Sequence, residues 1–96
     1  MTRLVLEPRP GRCVETVARH RYWQGVDTLM KRLAEDDDPG ELEREVDLLH
    51  TFLETTDVAA IRRRTEDVME QGNRARVVLT RSDGGGLLVD IETEGS

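Results

Sequence analysis

The stretch VMEQGNRARVVL, residues 68–79, decides the fold because the spacing of apolar residues changes within it. From Tyr22 to Met69, apolar residues recur three and four positions apart, as they do on one face of a helix. After Gly72-Asn73 they alternate, from Ala75 to Glu92, as in a half-buried hairpin. The sequence therefore predicts an α+β domain in which a helical segment precedes a β-hairpin.

The length and composition of the chain limit the kind of protein it can be. It has 96 residues, of which 36% are hydrophobic and 35% charged, enough for one modest core. Cys13 is the only cysteine, so no intramolecular disulfide can form. No apolar run reaches the length of a signal peptide or a membrane span. We therefore expect one small cytoplasmic domain over residues 1–96, with no membrane contact.

The net charge of −6 is unevenly divided along the chain. Residues 1–21 and 58–81 each carry a net charge of +3, whereas residues 22–57 carry −8 and residues 82–96 carry −4. An acidic total disfavours nucleic acid, whose phosphates require a contiguous basic face. We expect the acidic and basic segments to neutralise one another within the fold.

Three helices are predicted within residues 19–72. The second should begin at Asp38-Pro39, where Asp38 suits the N-cap, Pro39 the first helical position and Glu41 the reciprocal position of a capping box. A slip in the apolar phase before Val58 separates the third helix from the second. The apolar positions are Tyr22, Val26, Leu29 and Leu33 in the first helix, Leu42, Val46, Leu49 and Leu53 in the second, and Val58, Ile61, Thr65 and Val68 in the third.

The third helix carries candidate signals at both ends. Thr55, Thr56 and Asp57 are available to cap its first turn. Gly72 is expected to end it in the left-handed conformation.

The two ends of the chain are predicted to form a small antiparallel sheet, from an N-terminal strand or hairpin over residues 1–18 and a C-terminal hairpin over residues 75–92. Pro10-Gly11 fits the centre of a type II turn. Residues 12–17 are rich in β-branched side chains, which favours a strand there, with a helix beginning near Cys13 as the alternative. In the C-terminal hairpin, the residues expected to share the inner face are Val77, Leu79, Leu87, Val89 and Ile91.

The run Arg62-Arg63-Arg64 is the candidate anion-binding segment. Glu66 lies four positions after Arg62, and Asp67 lies within four positions of the other two arginines. This spacing favours a solvated face of salt bridges over a recognition site. Binding of nucleic acid or another anion by these arginines is the alternative.

Residues that could carry catalysis or bind a metal are few. Cys13, His20 and His50 do not lie in a paired metal-binding motif, and no acid–base pair can be assigned, so we predict no catalytic residues, metal or cofactor. The glycine-rich stretch 82–86 is expected to turn a hairpin rather than bind phosphate. An enzyme with a shallow or subunit-shared site is the second alternative.

Four apolar residues widen the apolar arcs of the first two helices. Leu48 and Phe52 lie beside the stripe of the second helix, and Trp23 and Met30 widen the first. The alternative is that the second helix packs between another helix and the sheet, but a sheet of two or three short strands need not cover both helices. The sequence therefore predicts a protein-interaction or regulatory module that forms a homodimer, or docks another protein, through these four residues.

Overall fold

The computed structural model describes residues 2–55, 57–82 and 84–95, without the side chain of residue 55. Six elements follow one another there: β1 (Arg3–Leu6), α1 (Val14–Ala34), α2 (Glu41–Thr55), α3 (Val58–Glu70), β2 (Arg74–Arg81) and β3 (Leu87–Glu94). The strands form an antiparallel sheet in the order β1-β2-β3. The predicted α+β class, with three helices and a hairpin extended by an N-terminal strand, is confirmed.

The sheet register places alternate residues against the helices. Val77 in the central strand lies opposite Ile91 of β3 and opposite Leu6 of β1. The predicted inner face of the hairpin is therefore confirmed. The inward residues of β3 are only half buried, because the helices cover β1 and β2 more fully than β3.

One hydrophobic core unites β1, β2 and all three helices. Phe52 is its largest fully buried side chain, and Leu48 beside it is also completely buried. Its buried members are Leu4, Leu6, Val14, Ala18, Leu48, Leu49, Phe52, Ile61, Val77 and Leu79.

Residues 14–17 are helical, so the strand predicted over 12–17 is wrong, and so is the division at residue 18. The backbone of Cys13 is extended, and α1 begins at the next residue. Val14 and Ala18 are both completely buried and lie one turn apart, in phase with Tyr22 a further turn on. The apolar phase of α1 therefore continues back to its first residue, through an alanine that contributes little to the sequence pattern.

The start of α2 differs from the predicted capping box. The helix begins at Glu41, and Gly40 before it has a φ of 53°. Asp38 Oδ1 accepts a hydrogen bond from the Gly40 amide at 3.0 Å, so Asp38 closes an Asx turn rather than acting as the N-cap.

The two ends of α3 agree with their sequence signals. Asp57 Oδ1 accepts a hydrogen bond from the Ala60 amide at 3.2 Å, as an N-cap does. Gly72 has a φ of 83°, and its amide donates to Met69 O at 3.0 Å, while the Asn73 amide donates to Val68 O at 3.2 Å. This pair of bonds is a Schellman motif, for which glycine is favoured. Residue 56 lies outside the described residues, as does the side chain of residue 55.

The outer edge of β1 is covered by a side chain of α1. Arg21 Nη1 donates a hydrogen bond of 2.8 Å to Val5 O. An uncovered strand edge is a site for pairing with another chain, so this contact protects the sheet on that side.

The helical pair α1–α2 extends beyond the sheet. The molecule measures 47 × 30 × 23 Å, and a helix of 21 residues is about 31 Å long. The fully buried residues of α1, Val14 and Ala18, lie in its first two turns, and those of α2 begin at Leu48. The second half of α1 and the first half of α2 thus project from the core and pack mainly against each other.

Candidate functional site

The projecting half of α1 carries a row of exposed apolar side chains. Trp23 and Met30 are each 66% exposed, and Leu33 is 56% exposed. Val26 lies between them and is half buried. Successive spacings of three, four and three residues place all four on one side of the helix, as at the a and d positions of a coiled coil. We call these four residues the α1 seam.

Within the α1 seam, Trp23 and Met30 point away from α2, while Val26 and Leu33 lie to the side. Gly25 is the point of closest approach between the two helices, since a Cβ built there would lie 2.7 Å from Val46 Cγ2. Two helical positions correspond to about 200°, so Trp23 projects from nearly the opposite side of α1. The seam is therefore available to another molecule while α2 stays in place.

Ring contacts hold Trp23 against its own chain on one side. The ring of Tyr22 meets it edge-on with centroids 5.2 Å apart, and Tyr22 also lies 5.9 Å from the ring of His50. Tyr22 packs against the core, whereas most of the indole of Trp23 faces solvent. Of the two neighbouring aromatic residues, only Tyr22 therefore contributes to the core.

Leu48 and Phe52 do not belong to an exposed surface. Both are completely buried within the chain, beneath the sheet and the other helices. Their part of the predicted interface is wrong, because the sheet packs against the flank of α2 that carries them. Of the four predicted interface residues, the structure leaves Trp23 and Met30 accessible.

Charged residues continue the line of the α1 seam at both of its ends. Arg19 lies one turn before Trp23, is exposed, and forms an ion pair of 3.1 Å with Glu15. After Leu33 the chain enters the turn 35–38, which holds four exposed carboxylates. The apolar row thus has a basic residue at one end and an acidic turn at the other.

Arg62, Arg63 and Arg64 do not converge. Consecutive helical residues point about 100° apart, so the three guanidinium groups leave α3 in different directions. Arg62 pairs with Glu66 at 3.0 Å, as predicted, but the pairs expected with Asp67 are not formed within the described residues. The run is exposed throughout.

Cys13 is a free, half-exposed thiol at the start of α1. Its Sγ lies 3.4 Å from Thr16 Oγ1, and this hydrogen bond is the main reason that the pKa of the thiol is lowered from its ordinary value. The nearby amides of Glu15 and Thr16 and the guanidinium of Arg62 act in the same direction. Cys13 is therefore an accessible thiol rather than a buried apolar residue.

We expect alkylation of Cys13 by iodoacetamide to reach half its maximal rate at a lower pH in the folded protein than in urea, because a depressed pKa supplies thiolate earlier. Because the pKa of the Cys13 thiol is lower in the folded state than in the unfolded state, the free energy of unfolding should increase as the pH rises from the first pKa to the second. It should decrease again as the pH falls. Thr16→Val should raise the midpoint of the alkylation profile. Equal midpoints for the folded and urea-unfolded protein would contradict the lowered pKa.

Within residues 2–55, 57–82 and 84–95, no group of three or more His, Cys, Asp or Glu side chains is placed to hold a metal ion. Across the same part of the chain, no helix combines the length and apolar character needed to span a bilayer.

Two residues of the α1 seam, Val26 and Leu33, belong by their spacing to the same apolar stripe as Tyr22 and Leu29, but Val26 is only half buried and Leu33 is exposed. The sequence does hold a sign of the seam, because W-x-x-V-x-x-x-M-x-x-L repeats the three-four spacing on the flank of the predicted stripe. What it lacks is the information that no other part of the described chain fully covers this side of α1.

Comparison with known proteins places the chain in a family. A protein-family model matches residues 2–90, so the chain belongs to that family, which is uncharacterised. No curated protein and no solved structure matches the chain at a significant level.

Proposed function

We propose that this protein is a small interaction module that self-associates through the α1 seam. The observation that carries the proposal is the row of large apolar side chains on the face of α1 that points away from its own core. A row of this size with coiled-coil spacing is typical of a helix that packs against another helix.

A second copy of the chain fits the seam in an antiparallel orientation. With a two-fold axis at the level of Thr28, Trp23 lies opposite Leu33 of the second copy, and Val26 lies opposite Met30. Each pair joins a larger with a smaller side chain, which suits interdigitation along a helix pair. The same patch then serves both subunits, as a two-fold contact requires.

The charges at the ends of the seam favour this orientation. The antiparallel arrangement places Arg19 near Asp37 in the acidic turn of the second copy. A parallel arrangement would bring the two acidic turns together, at a cost from like-charge repulsion. Charge therefore selects the orientation, while the apolar residues supply most of the affinity.

The extent of the seam indicates a weak dimer. A standard interface uses about 20–30 residues on each side, and one face of the projecting half of α1 offers fewer, so we expect a dissociation constant of about 10 µM. A cytoplasmic setting is part of the same proposal, because a free, half-exposed thiol such as Cys13 persists in a reducing compartment.

Sedimentation over a range of about 1 to 200 µM tests the proposal, since this range brackets the expected dissociation constant. The wild type should change from monomer to dimer, and Trp23→Glu and Met30→Glu should each weaken the dimer about thirtyfold or more, as expected when a charge enters a central contact. Leu88→Glu is the matched control, because Leu88 is 53% exposed but lies on β3.

A charge exchange tests the orientation separately. Arg19→Glu should weaken the dimer, and adding Asp37→Lys should restore it, since the exchange recreates the opposite pair. A wild type that stays monomeric throughout would overturn self-association. A dimer lost on Leu88→Glu, but kept in the two α1 variants, would place the contact on the sheet.

A further inference from the structure

The loop between β1 and α1 holds two arginines opposite each other in a tight turn. The Arg9 amide donates to Arg12 O at 3.0 Å, and the Arg12 amide donates to Arg9 O at 2.8 Å. Pro10 and Gly11 form the centre of the turn, and Gly11 has a φ of 84°, which fits the predicted type II turn. Two residues paired in this way hold their side chains side by side, about 5 Å apart at Cβ.

The turn places the positive charges of Arg9 and Arg12 opposite each other, with no carboxylate paired to either among the described residues. Both side chains are exposed, and neither guanidinium has a hydrogen-bond or ion-pair partner among the described residues. Glu7 lies beside the turn, and its carboxylate pairs with Arg76 at 3.5 Å. Like charges directly opposite each other are destabilising, so the turn retains an unrelieved repulsion.

Open concavities flank the turn on two sides, and Arg9 lines both. One, of about 530 Å³, is also lined by Arg74 and Arg76, with Met69 at its apolar side. The other, of about 410 Å³, is also lined by Arg12, His20 and Arg21. Arginines from three segments thus line the two concavities beside Arg9, where Arg21 donates to Val5 O and Arg76 pairs with Glu7 and Glu94.

We propose that the Arg9–Arg12 turn is a binding site for a phosphate group, free or carried on a small ligand. A guanidinium binds phosphate oxygens through two parallel hydrogen bonds, so two adjacent arginines suit a dianion. A bound phosphate cancels the repulsion between them, and Arg74 lies in the neighbouring concavity to contact a larger phosphorylated ligand. The rigid proline–glycine turn holds the two side chains close before the ligand arrives.

Titration with inorganic pyrophosphate, followed by amide NMR at constant ionic strength, tests this site. We expect saturable changes in amide chemical shift centred on Arg9, Gly11 and Arg12. The association constant for pyrophosphate should be at least about tenfold lower in the double variant Arg9→Gln/Arg12→Gln. The matched control is Arg63→Gln/Arg64→Gln, which removes the same charge from two exposed arginines on α3 and should leave binding unchanged.

Thermal denaturation gives a second readout that does not depend on resonance assignments. Pyrophosphate at up to about 10 mM should raise the melting temperature of the wild type and of the control, but not of the Arg9→Gln/Arg12→Gln variant. Without the ligand at low salt, this variant should melt at least as high as the wild type, because it lacks the repulsion.

The result also distinguishes possible sources of the phosphate. Comparing pyrophosphate, a nucleoside diphosphate and a short single-stranded DNA separates a free anion and a small phosphorylated ligand from a nucleic acid. Equal loss of binding in both double variants, or no saturable shifts, would overturn the site. The site would also be overturned if DNA bound far more tightly than the small ligands and if the α3 substitutions weakened this binding as much as Arg9→Gln/Arg12→Gln does.

Discussion

Phe52→Ala is expected to lower the free energy of unfolding by about 3–5 kcal/mol, because it removes the largest completely buried side chain and leaves a cavity among α2, the sheet and α1. A chain of 96 residues has a total stability of about 5–14 kcal/mol. The substitution should therefore remove a large share of the stability or leave the protein unfolded at room temperature. Urea denaturation followed by circular dichroism measures this loss.

Trp23→Ala is the comparison for Phe52→Ala. It also deletes an aromatic ring, but from a side chain that is 66% exposed, so we expect a change within about 0.5 kcal/mol in dilute monomeric protein. If the two variants lost similar stability, the opposite placements of these two residues would be wrong. The two variants thus distinguish a core residue from a surface residue among the four residues of the predicted interface.

Gly25→Ala should destabilise the protein by about 1 kcal/mol, although alanine is a better helix former than glycine by about the same amount. The new Cβ would lie 2.7 Å from Val46 Cγ2, and the β-branched side chain of Val46 has one strongly preferred rotamer in a helix. Overpacking of this kind costs about 1–3 kcal/mol, which exceeds the gain in helix propensity.

The sign of this effect should reverse when Val46 is shortened. In a Val46→Ala background, Gly25→Ala should stabilise the protein by about 1 kcal/mol, giving a coupling of about 2 kcal/mol in a double-mutant cycle of denaturation midpoints. Gln24→Ala, at an exposed position on the same helix, controls for helix propensity. Equal effects of Gly25→Ala in both backgrounds would show that α1 and α2 do not approach closely at Gly25.

The order of helices and strands could be predicted because apolar spacing reports which element a residue belongs to. The spacing also indicates in which direction a side chain points around the helix axis. It does not indicate which stretch of the helix is covered by the sheet or by another helix. In α2, the stripe through Leu42 and Val46 and the flank through Leu48 and Phe52 are both helical patterns. Leu48 and Phe52 pack in the core with the sheet and are completely buried, whereas Leu42 and Val46 lie against Gly25 of α1 and are half exposed.

The proposed phosphate site could be predicted from the sequence only in part. The sequence identifies the turn at Pro10-Gly11, since proline suits the first central position of a type II turn and glycine the second. It does not reveal that Arg9 and Arg12 lack a carboxylate partner, because this depends on Arg76, which lies in β2 and binds Glu7. Contacts between residues so far apart in the chain are set by strand order, which local patterns do not specify.

The extension of the α1–α2 pair beyond the sheet makes its local stability differ from that of the core. Amides in the second half of α1 and the first half of α2 lie in a segment with no completely buried side chain, so they should exchange with solvent through local opening, well before the whole chain unfolds. Binding of a second copy to the α1 seam would shift the equilibrium away from the locally opened state by mass action. Hydrogen-exchange protection there would then rise with protein concentration, while protection in β2 would stay constant.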